Sequence, residues 1–393
     1  MAIHVPPETV EHEAGLALDL IRRLVSEVGP RRPCSEPEAK AAQTVVAWLA
    51  ERGVDARIEP FRSYSSFAHP YGVMFGASLV GALLQRRGRR SGDALGLASL
   101  TALVLEGDLR KTPVSDLLAR ITSGNVVATI PPREEELRRV CLCGHVDTSR
   151  SGLMFDPRIT PYLRELLLIP MASAAITGLR PLVRRLPRTR RLNGLAIAGL
   201  AFALAMLAER ELRGEDVPGA NDNASGCGVA AQLAIECVGQ PLRHTRLDLL
   251  LTGCEEVGTR GAQAYVRSDP ERARKTTFIN FDSVGGDAPV RYILREGMPF
   301  GRPASTRLID IVHRISARRP DLGLRPAANT GALTTDATVA LAHGCDALTF
   351  IARERTIPNY HWPTDTYENI SPRTVARTLE AGRLLLRELD QDG

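Results

Sequence analysis

Five short polar segments of this sequence carry the imidazole and carboxylate groups that could do chemistry. The first contains His145 and, two residues later, Asp147, and it follows the apolar run 140–142. Residues two apart on an extended chain face the same side, so the carboxylate would lie beside the imidazole. Such a pair can form a metal ligand with the group that orients it, although most pairs of this kind are purely structural.

The other four segments have the same chemical character and occur further along the chain. They contain Asp222 and Asn223, Glu255 and Glu256, Asp282, and His361 with Asp365. The segments of His145, Glu255 and Asp282 follow apolar runs that are predicted strands. In open α/β sheets ligands bind at the carboxyl ends of the strands, so we expect these side chains to meet at one edge. Two histidines with several carboxylates suit a pair of zinc-like ions.

The order of the five segments resembles that of a known family. The motif His-x-Asp at 145–147 is followed by Gly-Ala-x-Asp-Asn-Ala-Ser-Gly at 219–226, Glu-Glu at 255–256, Asp282 and His361. This order is similar to that of the co-catalytic zinc peptidases of family M28, most of which are aminopeptidases. The resemblance covers about 1–66, 113–157 and 214–393, and it is carried by the combined order rather than by any single motif.

The resemblance implies two zinc ions per chain and a metal ligand at each matching position. His145 and Asp282 would bind one ion, and Glu256 and His361 would bind the other. Asp222 would bridge the two ions, with one carboxylate oxygen directed at each. Two divalent ions close together repel strongly at low dielectric, and a shared anion offsets that repulsion.

The resemblance also implies which residues would act beside the metals. Glu255 would be the general base, which takes a proton from the attacking water and later gives it to the leaving amine. Asp147 would orient His145. The peptide bond between Asp222 and Asn223 would be cis, as is typical of the family.

Three further positions match family segments without an implied catalytic role. Asp365 and Tyr367 follow His361 in the family's trailing pattern, and we expect them to fix its loop rather than to touch substrate. Asp336 lies where the family has a Ser-Asp-His segment near the substrate pocket. Because Ala337 stands in place of that histidine, the role of Asp336 stays open.

The function implied by the resemblance is a di-zinc metallopeptidase, a hydrolase that removes N-terminal residues from peptides. A single-zinc acyltransferase of the glutaminyl-cyclase type, or another amidohydrolase on the same fold, is the alternative. A peptidase-like scaffold without catalysis is a third hypothesis. Such a scaffold should lack a ligand or the base, and this sequence keeps all of them.

Composition limits the other classes of function. Of the 393 residues, 44% are hydrophobic and 24% are charged, as in ordinary globular proteins. Aromatic residues make up only 5%, which argues against a nucleic-acid surface built on base stacking. The seven cysteines are odd in number and several lie in apolar runs, so we expect free thiols. Since residues 1–15 show no apolar signal segment, the expected location is the reducing cytoplasm.

Periodicity predicts an α/β fold. Alternating apolar and polar residues predict a strand at 54–61, and more buried stretches predict strands at 125–130, 139–143, 247–252 and 277–281. Helices are predicted at 7–28, 35–53, 224–238, 258–267, 304–318 and 371–389, with a capping box over Ser35 to Glu38. Strands alternating with helices favour a mixed, largely parallel central sheet flanked by helices, of the zinc exopeptidase type, in a single domain over 1–393.

Two stretches, 68–112 and 158–213, interrupt this alternation and lie outside the resemblance. Each contains two apolar segments joined by an arginine-rich turn, which predicts two helical hairpins. We expect the four helices to form an added bundle near the mouth of the site. The longest uncharged apolar run, 192–208, is shorter than the ~20 residues that a spanning helix needs. The sequence therefore favours a soluble bundle, a homo-oligomer interface or contact with a membrane surface over spanning helices.

Overall fold

The computed structural model describes residues 14–183, 189–298, 301–328 and 334–391. Within these ranges the chain forms an eight-stranded mixed sheet, helices on both of its faces, and a four-helix bundle. The predicted fold class is confirmed. Most predicted strands and helices are present with ends shifted by a few residues. The helix predicted at 7–28 begins at Gly15, and residues 7–13 of that prediction lie outside the described residues.

The strands of the described residues are β1 Ala56–Ser63, β2 Ile121–Ile130, β3 Arg138–His145, β4 Thr245–Thr252, β5 Thr276–Phe281, β6 Val290–Ile293, β7 Arg295–Glu296, β8 Arg302–Pro303, β9 Arg325–Ala327 and β10 Asp346–Ala352. The main sheet has the order β1-β2-β4-β3-β5-β10-β6-β9. The central strands β4, β3, β5 and β10 are parallel. Because β1 is antiparallel to β2, and β2 to β4, the end of β1 lies at the same edge as the ends of β3, β4 and β5.

The helices of the described residues are α1 Gly15–Arg23, α2 Glu36–Ala50, α3 Ala68–Arg86, α4 Ser91–Asp108, α5 Pro113–Leu118, α6 Leu163–Val183, α7 Thr189–Arg213, α8 Ser225–Gly239, α9 Arg260–Ser268, α10 Pro270–Arg274, α11 Thr306–Arg318, α12 Asp336–Ala342 and α13 Pro372–Gln391. Helices α1, α2, α8, α11 and α13 pack on one face of the sheet. Helices α9, α10 and α12 pack on the other.

Strand β3 shows why the sheet is buried on both faces. Its Val140 and Leu142 belong to the larger core, while Cys141 and Cys143 belong to the core of the opposite face. Full burial of one Val or Leu side chain stabilises the folded state by roughly 1.5–3 kcal/mol. A strand that is apolar on both faces is therefore stable only when helices cover both faces of the sheet. All seven cysteines are free, as predicted.

The start of α2 departs from the prediction in one respect. Ser35 caps the helix, since its hydroxyl accepts a hydrogen bond from the Glu38 backbone N–H at 3.3 Å. The predicted capping box is wrong in its second half, because the Glu38 carboxylate turns inward. It accepts hydrogen bonds from the backbone N–H groups of Cys34, at 2.8 Å, and Cys254, at 2.9 Å.

Both insertions leave the site edge of the sheet and form the predicted bundle. Helices α3 and α4 make the first hairpin, α6 and α7 make the second, and α3 and α4 also contact the second hairpin. The small apolar core between the helices includes Met74, Phe75, Leu103, Ala174 and Leu200. Two segments, Thr160–Leu182 and Arg190–Arg213, are long and apolar enough to cross a membrane by length and composition.

Candidate metal centre

The ends of three parallel strands bring predicted site residues together. His145 is the last residue of β3, Glu255 and Glu256 come shortly after β4, and Asp282 follows β5 directly. The remaining two residues come from loops: Asp222 precedes α8, and His361 lies between β10 and α13. The five predicted ligands and the predicted base are all buried or nearly so at this edge.

The first potential metal site consists of His145, Asp222 and Asp282, whose ligand atoms all lie within 4.8 Å of one another. The His145 Nε2 atom is 3.2 Å from Asp222 Oδ1. The other ring nitrogen, Nδ1, is 3.1 Å from the backbone carbonyl oxygen of Asp147. A carbonyl only accepts, so Nδ1 carries a proton, and Nε2 is the ring atom that faces the carboxylates.

The second potential site consists of Asp222, Glu256 and His361, again with ligand atoms within 4.8 Å. The His361 Nε2 atom lies 3.2 Å from Asp222 Oδ2 and 3.1 Å from Glu256 Oε2. Asp222 therefore presents one carboxylate oxygen to each histidine. This is the arrangement that the sequence predicted for a bridging ligand.

The residues of the two sites fit zinc on their own chemistry. As metal ligands the two imidazole rings would be neutral, and their Nε2 atoms would then face carboxylate oxygens at hydrogen-bond distance as acceptors against acceptors. Among the described residues, the buried Glu256 Oε1 has no hydrogen-bond partner. Acceptors that converge without donors need positive charge between them. Nitrogen and oxygen donors of this kind are the ligands that zinc takes in co-catalytic sites.

Asp147 does more than the predicted orientation of His145. Its Oδ1 atom lies 3.5 Å from His145 Nδ1. The same carboxylate accepts hydrogen bonds from the backbone N–H groups of Glu255 and Glu256, each at 3.0 Å. One buried carboxylate thus aligns the end of β3 with the segment after β4, and it fixes the base and a ligand through their backbone.

Glu255 and Asp336 lie on the same side of the cluster. The Glu255 Oε2 atom is 3.9 Å from His145 Nε2. Asp336 is buried, and its Oδ2 accepts a 2.6 Å hydrogen bond from the Thr252 hydroxyl. Asp336, whose role the sequence left open, lies near enough to Glu255 for its charge to raise the pKa of that carboxyl group.

The loop of Asp222 is held from two directions. Asp365 accepts hydrogen bonds from the backbone N–H groups of Asn221, at 2.7 Å, and Asp222, at 3.0 Å. The Asn223 side chain accepts from the backbone N–H of Ser283 at 3.1 Å. The peptide bond between Asp222 and Asn223 is cis, as predicted. Asp365 lies in the loop of His361, so its hydrogen bonds join that loop to the loop of Asp222.

A contact between the bundle and the site was not predicted. The His361 Nδ1 atom is 3.1 Å from the Ser149 hydroxyl, which orients the ring. Arg210, near the end of α7, donates to the same hydroxyl oxygen at 3.0 Å and is itself buried. Ser149 follows the His145 motif closely, but no motif marks Arg210, because it lies in the insertion.

Two other buried charges support the site from the N-terminal region. The Arg31 guanidinium donates to the backbone carbonyls of Val146, at 2.7 Å, and Gly219, at 2.8 Å. It therefore ties the segment after His145 to the segment before Asp222. Glu38 holds the backbone of Cys254, which directly precedes Glu255 and Glu256. No sequence motif marked Arg31 or Glu38, which looked like an ordinary loop arginine and a helix-start glutamate.

The pKa values of the cluster reflect an excess of buried negative charge. Burial raises the pKa of Glu255 well above its usual range, and neighbouring carboxylates add to the effect. Burial alone would lower the pKa of His361, but Glu256 and Asp222 raise it to about 9. Burial alone would raise the pKa of Asp222, but hydrogen bonds from His145 and His361 hold it well below its usual range. The site attracts positive charge, whether protons or metal ions.

An apolar cavity of about 260 Å³ adjoins the metal centre. Glu255, Glu256 and His361 form its polar end. The rest of its wall is largely apolar and comes in part from the bundle, including Leu163, Met171, Phe202 and Met206. We call this space the junction cavity, because the peptidase body and the bundle each supply one side of it.

Solved structures that are similar to this chain include zinc aminopeptidases and a glutaminyl cyclase. The chain is similar to an aminopeptidase from Aneurinibacillus sp. strain AM-1, with TM-score 0.58 and 16% identity over 95% of this chain and 93% of that one. It is equally similar to the zinc aminopeptidase BSAP from Bacillus subtilis, with TM-score 0.58 and 14% identity over 96% and 95%. A glutaminyl cyclase from Porphyromonas gingivalis has TM-score 0.54 and 16% identity over 96% and 98%.

Residues 205–385 match the sequence model of Peptidase family M28, which confirms the predicted resemblance to that family. Together with the cluster of acceptors, this match supports a hydrolase of the metallopeptidase class. The matched region contains Asp222, Glu255, Glu256, Asp282 and His361, whereas His145 lies before it. A comparison with curated protein sequences gave no match.

Proposed function

We propose that the protein is a di-zinc aminopeptidase that removes N-terminal residues from peptides. The observation that carries the proposal is the position of Asp222 between two groups of ligands, each of which contains one histidine. His145 and Asp282 would hold one zinc ion, Glu256 and His361 the other, and Asp222 both. When bound, zinc would polarise the scissile carbonyl and lower the pKa of the attacking water.

The proton transfers would fall to Glu255. Its carboxylate is buried at the polar end of the junction cavity, close to His145 and Glu256. Burial raises the pKa of this carboxyl group well above its usual range, so it accepts a proton more readily than an exposed glutamate does. Glu255 would take the proton of the water and deliver it to the departing amine, which leaves as a neutral group.

The second candidate is single-zinc acyl transfer of the glutaminyl-cyclase type, or another amide hydrolysis. The similarity to the Porphyromonas gingivalis glutaminyl cyclase is close to that of the aminopeptidases, so the fold does not separate these reactions. The number of ions separates them, because acyl transfer of this type would need one zinc ion and the present ligand groups support two.

The test is hydrolysis of a panel of aminoacyl anilides, free and N-acetylated, by zinc-loaded protein. We expect cleavage of the free-amine substrates only. Glu255→Gln should lower kcat by ~10²–10⁴-fold while zinc stays bound, because it removes only the proton acceptor. Glu271→Gln, an exposed glutamate in α10, is the matched control and should retain activity.

Three results would change the proposal. Cleavage of N-acetylated substrates would show that a free amine is not required. Release of pyroglutamate from N-terminal glutamine, with one zinc ion per chain, would favour acyl transfer. An active Glu255→Gln variant would remove the assigned base.

A further inference from the structure

The interior of the four-helix bundle is rich in polar and small residues. Gln85 on α3 donates to the backbone carbonyl of Thr177 on α6 at 2.9 Å and accepts from Asn193 on α7 at 3.1 Å. Ser99 on α4 donates to the carbonyl of Met74 on α3 at 2.6 Å. Hydrogen bonds between helices thus run through the middle of the bundle.

Small residues let these helices approach closely. A Cβ atom built on Gly178 of α6 would lie 2.6 Å from the Leu100 Cβ of α4. One built on Gly199 of α7 would lie 2.2 Å from the Ser173 hydroxyl oxygen. Close backbone approach through small residues, with polar side chains joining helices, is the packing of helices in lipid.

The outer surface of the bundle is apolar. Most large apolar side chains that are exposed in the described part of the chain lie on these four helices, namely Val73, Val80, Leu83, Leu97, Val104, Leu168, Ile169, Leu179, Leu182, Leu192, Leu195, Phe202 and Leu212. Leu195 is 66% exposed and Val73 is 53% exposed. The most apolar 18-residue stretch of Thr160–Leu182 is only 33% buried inside the protein, and that of Arg190–Arg213 is only 28% buried. Such helices are not core helices of a water-exposed fold, and a monomer rarely leaves so wide an apolar surface in water.

The lengths of the helices match a bilayer. Helices α3, α4, α6 and α7 have 19, 18, 21 and 25 residues. At ~1.5 Å per residue they extend over ~27–38 Å, against a hydrocarbon thickness of ~30 Å. The uncharged run at 192–208 is shorter than its helix, because the helix continues into charged ends whose long side chains can reach the interface.

Charges lie at the two ends of the bundle. The turn between α3 and α4 exposes Arg86, Arg87, Arg89 and Arg90, and Arg190 and Arg191 are exposed at the start of α7. Near these turns the Asp93 carboxylate, inside the bundle, pairs with Arg180 at 3.4 Å. At the opposite end, Glu106 accepts hydrogen bonds from the backbone of Val114 and Ser115. The apolar surface of the bundle thus lies between an arginine-rich end and a polar end next to the α/β body. This distribution of charge suits a bilayer with anionic headgroups.

We propose that the four helices cross a lipid bilayer, with the arginine turns at one surface and the peptidase body at the other. This assignment replaces the sequence expectation of a bundle in water, and it stands whether or not the aminopeptidase proposal does. Alternatively, a second copy of the chain could cover the apolar face, and the first test below distinguishes a dimer from a membrane-embedded bundle.

The first test is recovery of the full chain with vesicles of phosphatidylcholine and phosphatidylglycerol after reconstitution from detergent. We expect the protein to float with the vesicles and to stay with them through high-salt and alkaline carbonate washes. Release by salt would show attachment to the surface only and would overturn the proposal. A monodisperse dimer in detergent-free buffer, with no vesicle recovery, would assign the apolar face to a second copy.

Paired substitutions sharpen this result. Leu195→Glu and Leu97→Glu place a charge on the exposed face of the bundle, and each should lower vesicle recovery by about tenfold or more. The control is Leu137→Glu, which changes a 58% exposed leucine of the peptidase body and should leave recovery unchanged. If the outer face of the bundle lies in water, none of the three substitutions should change vesicle recovery. That result would contradict the proposal even though all three variants fold.

The second test uses the native arginine turn as a reporter of sidedness. Trypsin should cut the turn at 86–90 in detergent solution and after vesicles are opened by detergent. In closed vesicles with the peptidase body outside, the same turn should be protected. Equal cleavage in closed and opened vesicles would place the turn on the same side as the peptidase body and would overturn a spanning bundle.

Discussion

The metal centre and the four-helix bundle place polar groups in opposite surroundings. At the metal centre, buried acceptors converge on one another and are held by further charges such as Asp147 and Arg31, inside an apolar α/β body. In the bundle, amides and hydroxyls link the helices alongside the Asp93–Arg180 pair, while large apolar side chains face outward. The comparison shows that the burial of polar groups does not by itself mark a functional site. The centre gathers several carboxylates around two histidines, whereas the helices of the bundle are joined mainly by uncharged groups.

The largest effect is expected from Asp222→Asn, which acts on the centre alone. Loss of the shared anion should remove zinc and lower peptidase activity by at least ~10³-fold, since several kcal/mol of charge stabilisation is lost. Zinc content per chain and hydrolysis of a free aminoacyl anilide measure both effects. Asp287→Asn, an exposed aspartate near the same edge, should change neither. Unaltered zinc content in Asp222→Asn would show that Asp222 is not needed to bind the metals.

An intermediate effect is expected from Arg210→Gln, which breaks the contact between the two regions. Without the guanidinium, Ser149 loses the donor that holds it against His361, and kcat or zinc affinity should fall by ~10–100-fold. The loss should not add to that of Ser149→Ala, because both act through one hydrogen-bond chain. Arg213→Gln, at the exposed end of α7, is the control. Additive losses would show that Arg210 acts by another route.

A smaller effect is expected from Gly178→Ala, which acts on the bundle alone. The added methyl group would meet Leu100 and should lower the free energy of unfolding by ~1–3 kcal/mol. Gly194→Ala has no atom within 4 Å of the new Cβ and should be neutral. Thermal unfolding compares the two variants, and equal stabilities would contradict the close helix packing. Zinc content should be unchanged in both.

The smallest effect is expected from Met206→Trp, which fills part of the junction cavity. If that cavity accepts the apolar N-terminal side chain, kcat/KM for a leucyl substrate should fall by ~10-fold relative to an alanyl substrate. Met206→Leu conserves most of the volume and should retain the wild-type ratio. An unchanged leucyl-to-alanyl ratio in Met206→Trp would place the substrate side chain elsewhere.

The sequence predicted the arrangement of the centre because its residues sit at strand ends. Once β3, β4 and β5 are parallel neighbours, His145, Glu255 and Asp282 must share an edge. The groups that hold the centre were not predictable in the same way. Arg31, Glu38 and Arg210 reach it from distant elements, and none belongs to a motif. The contact of Asp365 with the loop of Asp222 was not predicted, because spacing along the chain does not show which backbone a carboxylate will bind.

The bundle marks another limit of sequence patterns. Alternating apolar and polar residues reveal which side of a strand is buried, but helices that are apolar on nearly every side have no such contrast. The count of uncharged residues at 192–208 underestimated the length of α7, because the helix extends from Thr189 to Arg213. Only the packing shows that Gln85 and Asn193 face inward while Leu195 faces outward.

The junction cavity has a consequence for how a substrate would reach the centre. Its apolar wall includes Leu163 and Phe202 at the base of the proposed membrane segment, and its polar end includes Glu255. A peptide that partitions into the bilayer would reach this cavity by lateral diffusion, at an effective concentration set by its lipid solubility rather than by its concentration in water. The apolar N-terminal side chain of such a peptide would pass from lipid to the cavity without entering water. It would therefore avoid a cost of ~0.8 kcal/mol for each methylene group exposed to water. Measured affinity would then depend on how much lipid is present.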